Sequence, residues 1–231
     1  MRALRPAVTA LLLCLAPSPG AADPLITKTY AYFSVSGSTG AELERELSSL
    51  GPMLSDTGTR HAGATRIKLG GSVEYEKTVS SNCPDCKEPQ ASGGSLPDLL
   101  GLGPRRSGCR VLDAKVTLET QLTLPRWRDR KKASREMVLI WDVLSADIKR
   151  HEERHAEMAR QYARKLEKAL EDLRPERTCE TLQTRVDAVT KKIVDKHAAD
   201  QVRFDRAEAA SFERRMTRML GFAVEKERRG R

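Results

Sequence analysis

The sequence predicts an α+β fold: a small antiparallel sheet with one short helix, followed by a long C-terminal antiparallel helical hairpin. Three observations carry this expectation. The first half of the chain holds β-rich stretches of alternating polarity, whereas the second half holds two long runs with apolar residues at helical spacing. Aromatic residues make up 4% of the chain and charged residues 32%, which suits long helices better than a thick sheet sandwich. A length of 231 residues allows one domain with a real core, or at most two small ones.

The elements follow in order. Arg2 and Arg5, the apolar run from Ala7 to Ala16 and the small residues Gly20-Ala21-Ala22 predict a signal peptide over residues 1–22. The apolar run is too short to span a membrane. Cys14 lies inside it and follows Leu13, where lipoprotein signals place a small residue, so a soluble periplasmic or secreted product cleaved near Ala22 is expected. A single domain over residues 23–217 should follow, then a basic, flexible tail over residues 218–231.

Within the domain, Thr27 to Ser36 alternates and reads as a strand, and Thr39 to Leu50 reads as a short helix closed by Gly51-Pro52. Ala64 to Lys77, interrupted by Gly70-Gly71, reads as a strand with a bulge or as a hairpin. The Gly-, Pro- and Ser-dense stretch over residues 80–108 reads as an irregular surface insertion. Val111 to Leu124 alternates again and ends at Pro125.

Ser134 to Leu173 contains no Gly or Pro and stops where Arg174 precedes Pro175. Its apolar stripe is Ile148, Met158, Tyr162, Leu166, Leu170 and Leu173, with His151 and His155 inside it. A second long helix starts at Thr178, which can cap it, and is expected to run to about Arg215, with a stripe of Leu182, Val186, Val189, Ile193 and Phe204.

Export gives the cysteines meaning. Four remain beyond the leader, and the favoured pairing is Cys83–Cys86, a local bridge in a turn-rich segment, with Cys109–Cys179 tying the last strand to the start of the final helix. A C-x-x-C zinc knuckle or redox dithiol is the sharper alternative, but no second C-x-x-C and no thioredoxin-like βαβ pattern accompanies it.

The formal charge of +9 falls to about +7 without the two leader arginines. The excess lies in Arg126 to Arg135 and Lys226 to Arg231, runs that suit solvated surface or weak contact with anionic envelope polymers. No basic strand face carries aromatic residues, so nucleic acid is not an expected partner.

His151, Glu152, Glu153, Arg154 and His155 spell H-E-x-x-H. On a helix, residues four apart stand one above the other, so both imidazoles can reach one Zn²⁺ while Glu152 sits beside it. Two inward histidines with no metal would leave several ring nitrogens needing partners, which weighs against an accidental match. The expected chemistry is metal-assisted hydrolysis of a protein or peptide substrate, with Glu152 as the base; Tyr162 or His61 would donate to the oxyanion. Glu153 and Glu157 read as solvated acids.

A catalytic zinc needs a third protein ligand. If the hairpin folds about Glu176, His155 lies twenty-one residues before the apex and His197 twenty-one after, which nominates His197. Asp205 and Glu208 are the competitors, and Asp200 is a candidate for orienting an imidazole.

The layout resembles the bacterial family of predicted secreted zinc-dependent proteases, a domain of unknown function carrying H-E-x-x-H. The resemblance rests on Tyr32 to Gly37 leading into Thr39-Gly40-Ala41-Glu42-Leu43, on Gly51-Pro52, and on Cys109 before a strand ending Leu124-Pro125-Arg126-Trp127. It continues through Trp141, the H-E-x-x-H itself, Cys179 and Phe204-Asp205-Arg206. It implies a minimal zincin-like fold, ligand roles for His151 and His155 and a catalytic role for Glu152. One feature departs: the family's Thr-x-His-Gly element after the aromatic-Asp pair is replaced by Ala207-Glu208-Ala209-Ala210-Ser211, so any third ligand must come from elsewhere, such as His197, Asp205 or Glu208. Two rival classes remain, a non-enzymatic envelope scaffold with a degenerate metal site and a hydrolase of cell-wall peptides.

Overall fold

The computed structural model describes residues 24–53, 58–80 and 106–230. In chain order the elements are β1 (Leu25–Val35), α1 (Gly40–Leu50), β2 (Ala64–Ser80), β3 (Arg106–Trp127), a 3₁₀ turn (Arg130–Lys132), α2 (Arg135–Glu171) and α3 (Cys179–Arg229). The expected α+β class holds. The signal peptide, Cys83, Cys86 and most of the expected insertion over 80–108 lie outside the described residues.

The three strands lie in the order β1-β3-β2, with β3 antiparallel to β2 and parallel to β1. The sheet is therefore mixed, not wholly antiparallel as expected. The segment between β1 and β3 is long enough for the crossover that parallel pairing requires, and alternation within a strand carries no information about that direction.

β3 explains the one-sided core. Ala114, Val116, Leu118, Thr120, Leu122 and Leu124 are buried at successive even positions, while Lys115, Glu119 and Gln121 face outward. Against Ala114, Val116 and Leu118 packs α2 through Ala159, Ala163, Leu166 and Leu170, joined by Val186 of α3. The alanines let the helix approach the sheet, and each large aliphatic side chain taken fully out of water adds about 1.5–3 kcal/mol. A second cluster closes the other end: Val35, Leu43, Leu47, Trp127 and Trp141, with the two indoles 5.5 Å apart.

β2 is one continuous strand through the glycine pair, not a hairpin. Gly71 has φ of 154°, and a Cβ there would fall 2.1 Å from the Lys115 carbonyl, so the glycines serve close backbone approach. The register irregularity lies further on, where pairing passes from Glu74↔Asp113 to Tyr75↔Val111 and leaves Leu112 as the extra residue.

Side chains cap each helix start. Thr39 and Glu42 form a reciprocal capping box on α1, Ser134 accepts from Met137 N at α2, and Thr178 accepts from Thr181 N at α3. The expected Cys109–Cys179 disulfide is present, beside a pair of backbone hydrogen bonds between Cys109 and Glu176. α3 does not stop near Arg215 but continues to Arg229, so residues 218–229 are helical and not a separate tail. Good helix formers fill the stretch, and an Arg135–Glu227 ion pair holds it to the start of α2. Among the described residues no helix is long and apolar enough to cross a membrane.

Candidate metal centre

α2 has two neighbours and therefore two inward faces. Ile148, Glu152, Ala156, Ala159 and Ala163 are buried towards the sheet, while His151, His155 and Tyr162 lie along the seam with α3. Glu152 is the most deeply buried residue of the pentapeptide at 5% exposure. The two imidazoles are less enclosed, with side-chain exposures of 26% and 12%.

The Glu152 carboxylate lies against the start of β2. The Thr65 hydroxyl lies 2.8 Å from Glu152 Oε2 and 2.9 Å from its backbone oxygen. Room for the carboxylate comes from Gly63, where a Cβ would stand 2.8 Å from Ile148 Cγ2 and 3.0 Å from Glu152 Oε1. Burial pushes the Glu152 carboxyl above the usual carboxylate range, against the Thr65 hydrogen bond and the nearby His155, which pull it down; the Asp205 charge adds to the upward push.

Beside it, three ligand atoms converge. His151 Nε2 and His155 Nε2 are 3.0 Å apart, and Asp205 Oδ1 lies 3.2 Å from the first and 2.8 Å from the second. Among the described residues, this group of side chains could hold a metal ion.

The protonation pattern follows from Gln201. Its amide nitrogen donates to the His155 backbone carbonyl at 3.3 Å, which turns its oxygen towards His155 Nδ1 at 2.5 Å. Nδ1 therefore carries the proton, and Nε2 presents a lone pair to His151 and Asp205. With a lone pair on His155 Nε2, the edge between His155 and Asp205 needs a proton or a cation between two acceptors. A cation relieves every edge at once. His151 Nε2, His155 Nε2 and Asp205 Oδ1 would hold such an ion, and two imidazoles with a carboxylate are a donor set that suits zinc.

The surroundings hold these groups in place. Phe204 stacks on His151 with centroids 5.0 Å apart and meets His155 edge-on at 5.1 Å. Glu208 Oε2 stands 3.7 Å from His151 Nδ1 and is also paired with Arg150 and Arg215. Those two arginines bind the buried Asp147 as well, so one ion network locks α2 to α3 a turn before His151. Burial, then the neighbouring His155, keeps the His151 imidazole below its ordinary pKa, opposed by Asp205 and Glu208.

Asp205, the expected competitor, lies with the two imidazoles, and His197 does not. His197 Nε2 lies 2.8 Å from the Gln201 amide nitrogen, one helical turn further along the seam, with its ring 5.2 Å from Tyr162. The reason is geometric. His155 faces Gln201, which puts the midpoint of the hairpin at Thr178 instead of Glu176, and each residue of error in the apex moves the facing position by two. Glu208 is held beside the triad by arginines.

The other nominated residues are engaged elsewhere. Asp200 accepts from the Tyr162 hydroxyl at 2.5 Å and pairs with Arg203, so imidazole orientation falls to Gln201. With that hydroxyl donated to Asp200, and exposed His61 bonded to Thr59, neither expected oxyanion donor is directed at the triad. Glu153 and Glu157 pair with surface cations, as expected. Nothing in the sequence links Gly63 or Thr65 to Glu152, which lies 87 positions beyond Thr65.

Over residues 100–212 the chain matches a family described as a bacterial protein of unknown function (DUF922). The matched stretch runs from before β3 through α2 to beyond Asp205 in α3, and so contains the whole triad and Glu152. That description names neither a metal nor a reaction. No curated protein and no solved structure matches the chain.

Proposed function

We propose that the chain is an exported zinc-dependent metallopeptidase that hydrolyses peptide bonds. The observation that carries this reading is the convergence of His151 Nε2, His155 Nε2 and Asp205 Oδ1 within 3.2 Å of one another, beside a buried carboxylate. A zinc ion there supplies Lewis acidity, which acidifies water towards a pKa of about 7 and polarises a carbonyl. Two imidazoles and a carboxylate also suit ferrous iron, and the adjoining Glu152 is what favours hydrolysis, since that reaction needs a base.

The chain's own residues divide the remaining work. Gln201 keeps the His155 proton on Nδ1, and Phe204 covers one face of His151. Glu152, with Oε2 engaged by Thr65, takes a proton from water at Oε1 and returns it to the leaving amine. An upward-shifted carboxyl is a stronger base than a solvated one once it is ionised, so its burial serves this role. The leader over residues 1–22 supports an extracytoplasmic site of action.

Metal analysis of the purified protein, followed by assays on casein and on cell-wall peptide fragments, tests the reading. One zinc per chain is expected, with cleavage of at least one substrate by wild type and a loss of about 10³-fold in Glu152→Gln, zinc retained. Cleavage of the wall fragments alone would assign a cell-wall peptide hydrolase. A zinc-free protein, or a zinc-bound one that cuts neither substrate, overturns the peptidase reading in favour of the scaffold.

A further inference from the structure

We propose that the end of the molecule away from the hairpin turn is a docking surface for an anionic phospholipid membrane. Two basic runs nearly a hundred residues apart in sequence meet there. The hairpin lays the end of α3 beside the start of α2, and the Arg135–Glu227 ion pair fixes the junction. Arg128, Lys131 and Lys132 thereby come to the same end as Lys226, Arg228 and Arg229.

The local carboxylates are mostly committed. Asp129 accepts from Gly37 N at 3.1 Å, Asp142 from Arg130 at 2.8 Å, Glu225 from Arg229 at 3.4 Å, and Glu227 from Arg135. Arg128, Lys131, Lys132, Lys226 and Arg228 are exposed and have no carboxylate partner among the described residues.

Charge alone would suit any polyanion, and the apolar component selects the partner. Phe222 is 66% exposed, one turn from Arg218 on one side and from Lys226 on the other. A bare phenyl ring flanked by cations at a helix end fits the boundary between lipid headgroups and acyl chains, where the ring is buried and the cations reach phosphates. Nucleic acid would use the cations and leave a lone Phe without a stacking platform.

The proposal is independent of the metal reading and is tested without it. The chain from residue 23 onward, which holds every described element, is sedimented with vesicles of phosphatidylcholine alone or with one third phosphatidylglycerol at moderate salt. Binding is expected only to the anionic vesicles, falling about fivefold for each cation reversed, whether in Lys131→Glu/Lys132→Glu or in Lys226→Glu/Arg228→Glu. Phe222→Ser should weaken it several-fold with no change in charge, and melting curves confirm that each variant folds. Equal binding to neutral vesicles, or loss in only one of the two double variants, overturns the proposal. So does DNA binding as tight as vesicle binding and indifferent to Phe222→Ser, which would make this end a general polyanion site.

Discussion

Gln201 grips His155 at both ends, donating to its backbone carbonyl at 3.3 Å and accepting from its Nδ1 at 2.5 Å. One amide thus sets the position, tautomer and lone-pair direction of an imidazole on the opposite helix. Neither a carboxylate nor an aliphatic group at position 201 can make both contacts.

Gln201→Leu should therefore keep the fold and lower zinc affinity about 10- to 100-fold, the usual effect of removing a group that orients a metal-bound histidine. Chelator competition measures it. An unchanged affinity would mean that His155 is oriented by something else.

Gly63→Ala should separate catalysis from metal binding. The added methyl meets Ile148 Cγ2 at 2.8 Å and the Glu152 side chain at 3.0 Å, so Ile148 must shift and Glu152 must give with it, while the imidazoles lie on another face of α2. A destabilisation of about 1–3 kcal/mol is expected from the overpacking, with turnover falling well beyond any change in zinc affinity. Parallel losses in both would show that Gly63 serves the whole helix and not Glu152 in particular.

Asp147 should carry part of the acid sensitivity. Burial alone would raise its carboxyl, but hydrogen bonds from Arg215 and Arg150 outweigh this and hold it below the ordinary value of 3.8. A depressed acid binds fewer protons when folded, so its stabilisation is complete above that ordinary value and is lost as pH falls through the depressed one. Asp147→Asn should cost about 1–3 kcal/mol at pH 7 and flatten the loss of stability in acid, as read by urea melts across pH. An acid limb as steep as wild type would remove the network from the account.

Much of the fold was legible because it rests on local signals. Alternation along Val111 to Leu124 marks a strand with one buried face, a cap at Thr178 marks the start of α3, and the absence of Gly and Pro marks the length of α2. The Cys109–Cys179 bridge followed as the remaining pair once Cys83 and Cys86 were paired locally. The features that escaped depend on which surfaces face each other over long separations. Parallel pairing of β1 with β3 leaves no local trace, and neither does the contact of Gly63 and Thr65 with Glu152.

The third ligand shows how narrow the margin is. A hairpin apex displaced by two residues exchanges His197 for Gln201 and brings Asp205 to the imidazoles. The competing carboxylate was visible in the sequence, but its rank was not, because helical spacing specifies a face while the loop between the helices sets the register.

The most direct measurement compares zinc affinity in Asp205→Ala and His197→Ala, each at equal folded fraction. Loss of a ligand should weaken binding by at least 10²-fold in the first, and the second should stay within about tenfold of wild type, since His197 touches the site only through Gln201. A protein that holds zinc as tightly without Asp205 as with it, or that loses zinc when His197 alone is removed, would contradict the site described.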